Sequence, residues 1–152
     1  MTASSSQETL DLSRVINASI ERVFDAWTRA EVLAQWFGPV GFEVSDATID
    51  CRPAGKYSIT LVSPEETEIK HYGEYLEVRR PHRLVFTWIL ENQDCGGSAG
   101  YQTNTIVEIN FTSRGDQTLI TLRHEKLPDV QAKNGHRFGW ISSFDSLERL
   151  LN

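Results

Sequence analysis

An α+β architecture, one antiparallel sheet with its helices on a single face, is predicted by three observations. From about Val40 to Glu125 the apolar residues alternate along a series of short segments, the period of half-buried strands. The connections between most of these segments are short enough to join antiparallel neighbours. The stretch from Gly139 to Leu151 behaves differently, with large apolar residues at 140, 141, 144, 147, 150 and 151. That spacing marks one face of an α-helix, long enough to cover the apolar side of such a sheet.

Residues 1 to about 8 are small and polar and predict a frayed tail, which leaves 9–152 as one domain. Leu10, Leu12, Val15 and Ile16 suit a first strand of imperfect period. Ser19 caps a short helix carrying Ile20, Val23, Phe24 and Trp27 at i, i+3, i+4 and i+7. Thr28 and Glu31 have capping-box spacing and predict a second helix with Val32, Leu33, Trp36 and Phe37, stopped by Gly38-Pro39. The next strand, Phe42 to Cys51, changes phase near Ser45-Asp46, the mark of a bulge. After the turn Arg52-Pro53-Ala54-Gly55 comes Lys56 to Val62, with Tyr57, Ile59 and Leu61 on one side. Glu68 to Val78 follows, and Gly73 within it predicts a bulge or a close backbone approach. Arg80-Pro81-His82 turns the chain into Leu84 to Leu90. The polar segment Glu91 to Asn104, with Gly96, Gly97 and Gly100, predicts a loop of about a dozen residues, a length that in compact domains goes with function or mobility. Thr105 to Thr112 and Thr118 to Glu125 complete the strands around the turn Arg114-Gly115-Asp116. Asp129 is then the expected N-cap of the last helix. A helix of about 22 residues is about 33 Å long, and seven strands at about 4.8 Å spacing make a sheet of comparable width. One helix can therefore lie across the whole sheet.

The 152 residues, 39% hydrophobic and 24% charged, suit one core. A net charge of -6 repels phosphate backbones, and no basic stripe interleaved with aromatics is present. Nucleic acid and anionic membrane are therefore not expected partners. No run approaches a membrane span, and the N-terminus lacks the basic and apolar regions of a signal peptide, so a cytoplasmic location is expected. Cys51 and Cys95 form no CxxC pair and read as free thiols. The four histidines, His71, His82, His124 and His136, show no metal-ligand spacing, so neither a metal nor a cofactor is expected.

Several stretches, taken in order, resemble a known family. They are Val23-Phe24-Asp25-Ala26-Trp27-Thr28, Trp36-Phe37-Gly38-Pro39, Arg52-Pro53-Ala54-Gly55-Lys56-Tyr57, Gly73-Glu74-Tyr75, Arg83-Leu84-Val85-Phe86-Thr87-Trp88, and Gly139-Trp140 with Leu147 and Leu150. Together they are similar to the START-like, birch-pollen-allergen-like (SRPBCC) superfamily. Within it, the chain resembles bacterial proteins similar to the C-terminal domain of the activator of the heat-shock-protein-90 ATPase. The resemblance implies a helix-grip fold: a curved antiparallel sheet of six or seven strands wrapped on a long C-terminal helix, with two short helices after the first strand and an apolar cavity between. The chain departs from many relatives at Cys51, where they carry an acidic residue, and at Ala54, where they carry a first glycine.

Strand phase and resemblance together place Trp36, Phe37, Tyr57, Tyr75, Phe86, Trp88, Trp140 and Phe144 at or near that cavity, as core side chains or as ligand contacts. His71 shares a strand phase with Tyr75, and His136 stands four residues before Trp140, so both are candidates to face the same space. The expected function is binding of a small hydrophobic or aromatic molecule. The resemblance leaves two alternatives. One is an enzyme of polyketide-cyclase or hydrolase/isomerase type, with a histidine and one of Asp46, Glu74, Glu108 or Asp145 as acid and base. An inward, paired Asp145 would mark such chemistry, whereas a solvent-facing one favours binding. The other is a cochaperone that stimulates a chaperone ATPase through its surface. Against that, the activator it resembles has a further N-terminal domain with no counterpart in these residues. Ligand identity, turnover and a homodimer through an exposed edge or loop 91–104 stay open.

Overall fold

A computed structural model describes residues 7–92 and 101–151, with the backbone alone described for 90–92 and 101–104. The elements run β1 (Glu8–Ile16), α1 (Ile20–Thr28), α2 (Ala30–Leu33), β2 (Glu43–Ile49), β3 (Lys56–Val62), β4 (Glu68–Arg79), β5 (Arg83–Asn92), β6 (Tyr101–Arg114), β7 (Gln117–Leu127) and α3 (Val130–Leu151). The strands form one seven-stranded antiparallel sheet in the order β1-β7-β6-β5-β4-β3-β2. Each strand from β2 onward pairs with its successor, and β1 joins the far edge beside β7. With a long C-terminal helix and two short helices after the first strand, this is the helix-grip fold.

Alternation explains which face is covered. Tyr57, Ile59 and Leu61 of β3 are buried, as are Ile109 and Phe111 of β6 and Ile120 and Leu122 of β7, and they join one core with Val23, Phe24 and Trp27 of α1 and Phe144 and Leu147 of α3. Burying each such side chain contributes about 1.5–3 kcal/mol. β1 keeps the alternation while breaking the apolar pattern. Arg14 takes an inward position between Leu12 and Ile16, Val15 faces out, and the Arg14 guanidinium meets Asp145 at 2.9 Å and Glu148 at 2.8 Å on α3. Its imperfect period thus reflects a charged residue reaching from under the helix to that helix's own carboxylates.

The bulge expected near Ser45-Asp46 is present as a register shift between Val44 and Asp46. Gly73 marks a close approach: a Cβ there would stand 2.1 Å from the Thr87 carbonyl oxygen on β5. Ser19 caps α1, accepting from the Arg22 N–H, and Asp129 caps α3, accepting from the Ala132 N–H at 2.8 Å.

Four expectations change. The capping box does not form, because Thr28 ends α1 and its hydroxyl donates to the Phe24 carbonyl at 3.0 Å; Arg29 precedes α2 with no side-chain cap. The loop 91–104 is shorter than its polarity suggests: β5 and β6 pair as far as Asn92 and Tyr101, because ladder hydrogen bonds use backbone groups whatever the side chain. Its centre, residues 93–100 with Cys95 and the three glycines, lies outside the described residues, while Cys51 is a free thiol. Residues 1–6 of the expected tail also lie outside them, but Glu8 opens β1 and its carboxylate stands 3.6 Å from Lys133. Finally, α3 buries a narrower stripe than expected, Trp140, Phe144, Leu147 and Leu151, and leaves Ile141 and Leu150 each 37% exposed. Among the described residues no helix is long and apolar enough to cross a membrane.

Candidate functional site

Helix α3 covers the sheet unevenly. Its second half carries Phe144, Leu147 and Leu151, which fill the space beneath it. From its first turn to just past its middle it carries Ala132, Gly135, Gly139 and Ser143 at helical spacing, and side chains that small leave the space beside them unfilled. A cavity of about 430 Å³ remains there, walled by these residues with His136 and Trp140. The sheet supplies Leu61, Ile69, His71 and Trp88, and the connection from α2 to β2 supplies Phe37, Gly38, Pro39 and Phe42. Asp129 and Gln131 stand at the rim, both exposed.

The connecting segment is held by backbone geometry. Gly38 adopts φ +110°, a conformation side chains oppose, which turns the chain from α2 toward β2. Its N–H donates to the Ser143 hydroxyl at 2.9 Å, tying this wall to α3.

Behind the cavity two indoles are matched to two imidazoles. The Trp88 indole N–H donates to His136 Nε2 at 3.2 Å, and His136 Nδ1 lies 2.8 Å from the Ala132 carbonyl. The Trp140 indole N–H donates to His124 Nδ1 at 3.2 Å, His124 Nε2 lies 2.7 Å from the Thr105 hydroxyl, and that hydroxyl donates to the Trp88 carbonyl at 3.0 Å. An indole N–H can only donate and a carbonyl can only accept, so each ring is a neutral imidazole, protonated on Nδ1 in His136 and on Nε2 in His124. Burial lowers both pKa values, His124 well below its usual 6.5.

His71 is buried like these two but differs in its partners. Its ring lies 4.8 Å from that of Trp88 and 5.8 Å from that of Phe37, and its Nδ1 has no hydrogen-bond partner among the described residues. Burial first and the neighbouring His136 second lower its pKa to about 3, with the Ile59 backbone acting weakly the other way. Among the described residues that line the cavity, Asp129 alone carries a formal charge.

Of the side chains expected at this space, Phe37, His71, Trp88, His136 and Trp140 line it. Trp36, Tyr57, Tyr75, Phe86 and Phe144 do not: they are buried core. Tyr57, Tyr75 and Phe86 pack on one another 5.4–5.8 Å apart, toward the other end of the sheet, and the Tyr57 hydroxyl donates to the Thr87 carbonyl at 2.6 Å. Strand phase assigns a face of the sheet but not a position along it, which is why both groups had looked alike. The small residues 132, 135, 139 and 143 stand outside the apolar periodicity; two glycines inside one helix, each costing about 1 kcal/mol against alanine, are the signal the sequence offers for them. No candidate carboxylate reaches the cavity. Asp145 is 51% exposed and paired with Arg14, Glu108 is bound by Arg83 at 3.0 Å, and Asp46 and Glu74 are exposed.

A family model described as activator of Hsp90 ATPase homolog 1-like protein matches residues 17–152. Among solved structures, a protein from Chromobacterium violaceum is 26% identical with a TM-score of 0.82, the match covering 94% of this chain and 96% of that one. A protein of the same family name from Silicibacter pomeroyi is 25% identical with a TM-score of 0.82, covering 95% and 97%. One from Nitrosomonas europaea, 24% identical with a TM-score of 0.79 over 94% and 93%, shares the fold. No curated protein matches the chain. With the family model spanning both short helices, the strands from β2 to β7 and the whole of α3, the chain belongs to the activator of Hsp90 ATPase homolog 1-like family.

Proposed function

We propose that the protein binds a small apolar or aromatic molecule between the sheet and the first half of α3. The observation that carries this reading is the cavity of about 430 Å³ with its largely apolar and aromatic wall. Ligand sites are usually concave and apolar, about 300–1,000 Å³, with few polar groups. Acid–base chemistry is less well supported. A general base works best with a pKa near the operating pH, whereas burial holds His71 at about 3 and both His124 and His136 are committed to indole donors. The family name points to stimulation of an Hsp90 ATPase, an activity that would use the protein's surface. We expect no change in Hsp90 turnover when this protein is added to saturation.

Gly135→Leu tests the binding reading. Gly135 lines the cavity and a Cβ there meets nothing within 4 Å, so a side chain can be added at the cavity wall without a backbone clash, and it also improves helix propensity. The variant is expected to keep or slightly raise the thermal midpoint while weakening binding of a neutral two-ring probe such as 2-naphthol by at least about tenfold, or about 1.4 kcal/mol. Unchanged affinity in the variant, or no saturable binding to the parent protein, would overturn the proposal. Native mass spectrometry of the purified protein would name the physiological ligand.

A further inference from the structure

We propose that the preferred ligand is a neutral aromatic molecule bearing one hydroxyl group, and that His71 is the side chain that selects the hydroxyl. This inference rests on the ligand-binding reading above. Two polar side chains that line the cavity are already engaged, His136 between an indole and a carbonyl and Ser143 accepting from Gly38, as is His124 behind them, between an indole and a hydroxyl. His71, which also lines the cavity, is 7% exposed with Nδ1 unpaired. A buried polar atom without a partner is unfavourable, and buried polar atoms in native proteins almost always have one. This nitrogen is buried from solvent. A hydroxyl brought in by a bound molecule supplies the partner once the imidazole turns about χ2 to present the atom. A hydroxyl can both donate and accept, so it satisfies either neutral tautomer.

Charge narrows the class further. Among the described residues no lysine or arginine lines the cavity, and the one formal charge there is negative. A carboxylate or phosphate would be desolvated against aromatic walls with no counter-ion, beside imidazoles that burial keeps uncharged. Neutral ligands are therefore favoured over their acidic analogues. The rings of Phe37, Trp88 and Trp140 present the edges and faces that pack best on another aromatic.

The test is a fluorescence or calorimetric titration of the intact protein with 2-naphthol, naphthalene and 2-naphthoate, repeated on His71→Leu. The parent protein is expected to bind 2-naphthol about tenfold more tightly than naphthalene, with 2-naphthoate weakest. His71→Leu should lose that preference and keep its affinity for naphthalene within about twofold. His71→Asn, whose amide places a donor and an acceptor near the same point, should retain most of the preference. Equal binding of 2-naphthol and naphthalene by the parent protein, or tightest binding of 2-naphthoate, overturns this inference and leaves the cavity reading standing. Failure of all three probes to bind overturns both. The parent protein's own ranking decides the matter even where His71→Leu does not fold.

Discussion

Thr105 carries an unusual share of the polar order behind the cavity. Its hydroxyl is fully buried, meets His124 Nε2 at 2.7 Å and donates to the Trp88 carbonyl at 3.0 Å. It therefore decides which His124 nitrogen holds the proton and leaves Nδ1 free for the Trp140 indole. Thr105→Val keeps the shape and removes the oxygen, stranding a buried His124 N–H. The expected loss is about 1–3 kcal/mol, measured by urea unfolding, with the main chain unaltered. A loss below about 0.5 kcal/mol would mean that His124 takes the other tautomer or a different partner. This chain of contacts was not legible in the sequence. His124 continues the inward phase of Ile120 and Leu122, but nothing in the alternation says that Trp140, on another element, will meet it.

Among the elements, the turn between β2 and β3 holds a non-glycine residue in the left-handed conformation. Ala54 sits at φ 68°, and its N–H donates to the Tyr75 carbonyl while Tyr75 N–H donates to that of Gly55. The turn is thereby bound to β4. A residue other than glycine pays about 1–2 kcal/mol for this left-handed conformation. Glycine would relieve it but adds about 0.5–1 kcal/mol of unfolded-chain freedom. Ala54→Gly is expected to raise stability by about 0.5 kcal/mol, seen as a higher urea midpoint with unchanged slope. A lower midpoint would show that the Ala54 methyl contributes packing that outweighs the strain. That the turn Arg52-Pro53-Ala54-Gly55 holds only one glycine was readable from the sequence; the left-handed φ of Ala54 was not, since alanine there does not by itself tell whether the chain relaxes or keeps the conformation.

At the scale of the whole molecule, the buried histidines couple folding to pH. In the unfolded chain they take up protons below about 6.5, whereas burial holds His71 at about 3 and His124 well below its usual value. The unfolded state then binds more protons, so stability rises with pH and falls as pH drops through 6.5. Both residues add to this loss, His71 over the window from about 6.5 down to about 3. Urea unfolding at pH 7 and at about pH 5, still above the ordinary carboxylate range, should therefore show a marked loss at the lower pH. Equal stability at the two values would mean that these imidazoles are solvated or can charge without unfolding. A bound neutral ligand should raise stability at both values without changing the difference, because it adds no titrating group.

What the sequence determined by itself is the arrangement that local pattern dictates: a first strand, two short helices, six strands in hairpin succession, the bulge at Ser45-Asp46, the cap at Asp129 and a final helix of about 22 residues. These follow from periodicity and hydrogen-bonding side chains, which act over a few residues. The tertiary structure alone decided where the sheet is filled and where it is left open. Tyr57, Tyr75 and Phe86 share an inward phase with His71 and Trp88, yet only the latter pair meets the cavity. The difference arises because the two groups stand at different points along their strands: Tyr57, Tyr75 and Phe86 pack on one another, whereas His71 and Trp88 stand beside the small residues of α3. The void is set by distances between elements far apart in the chain, which no single segment encodes.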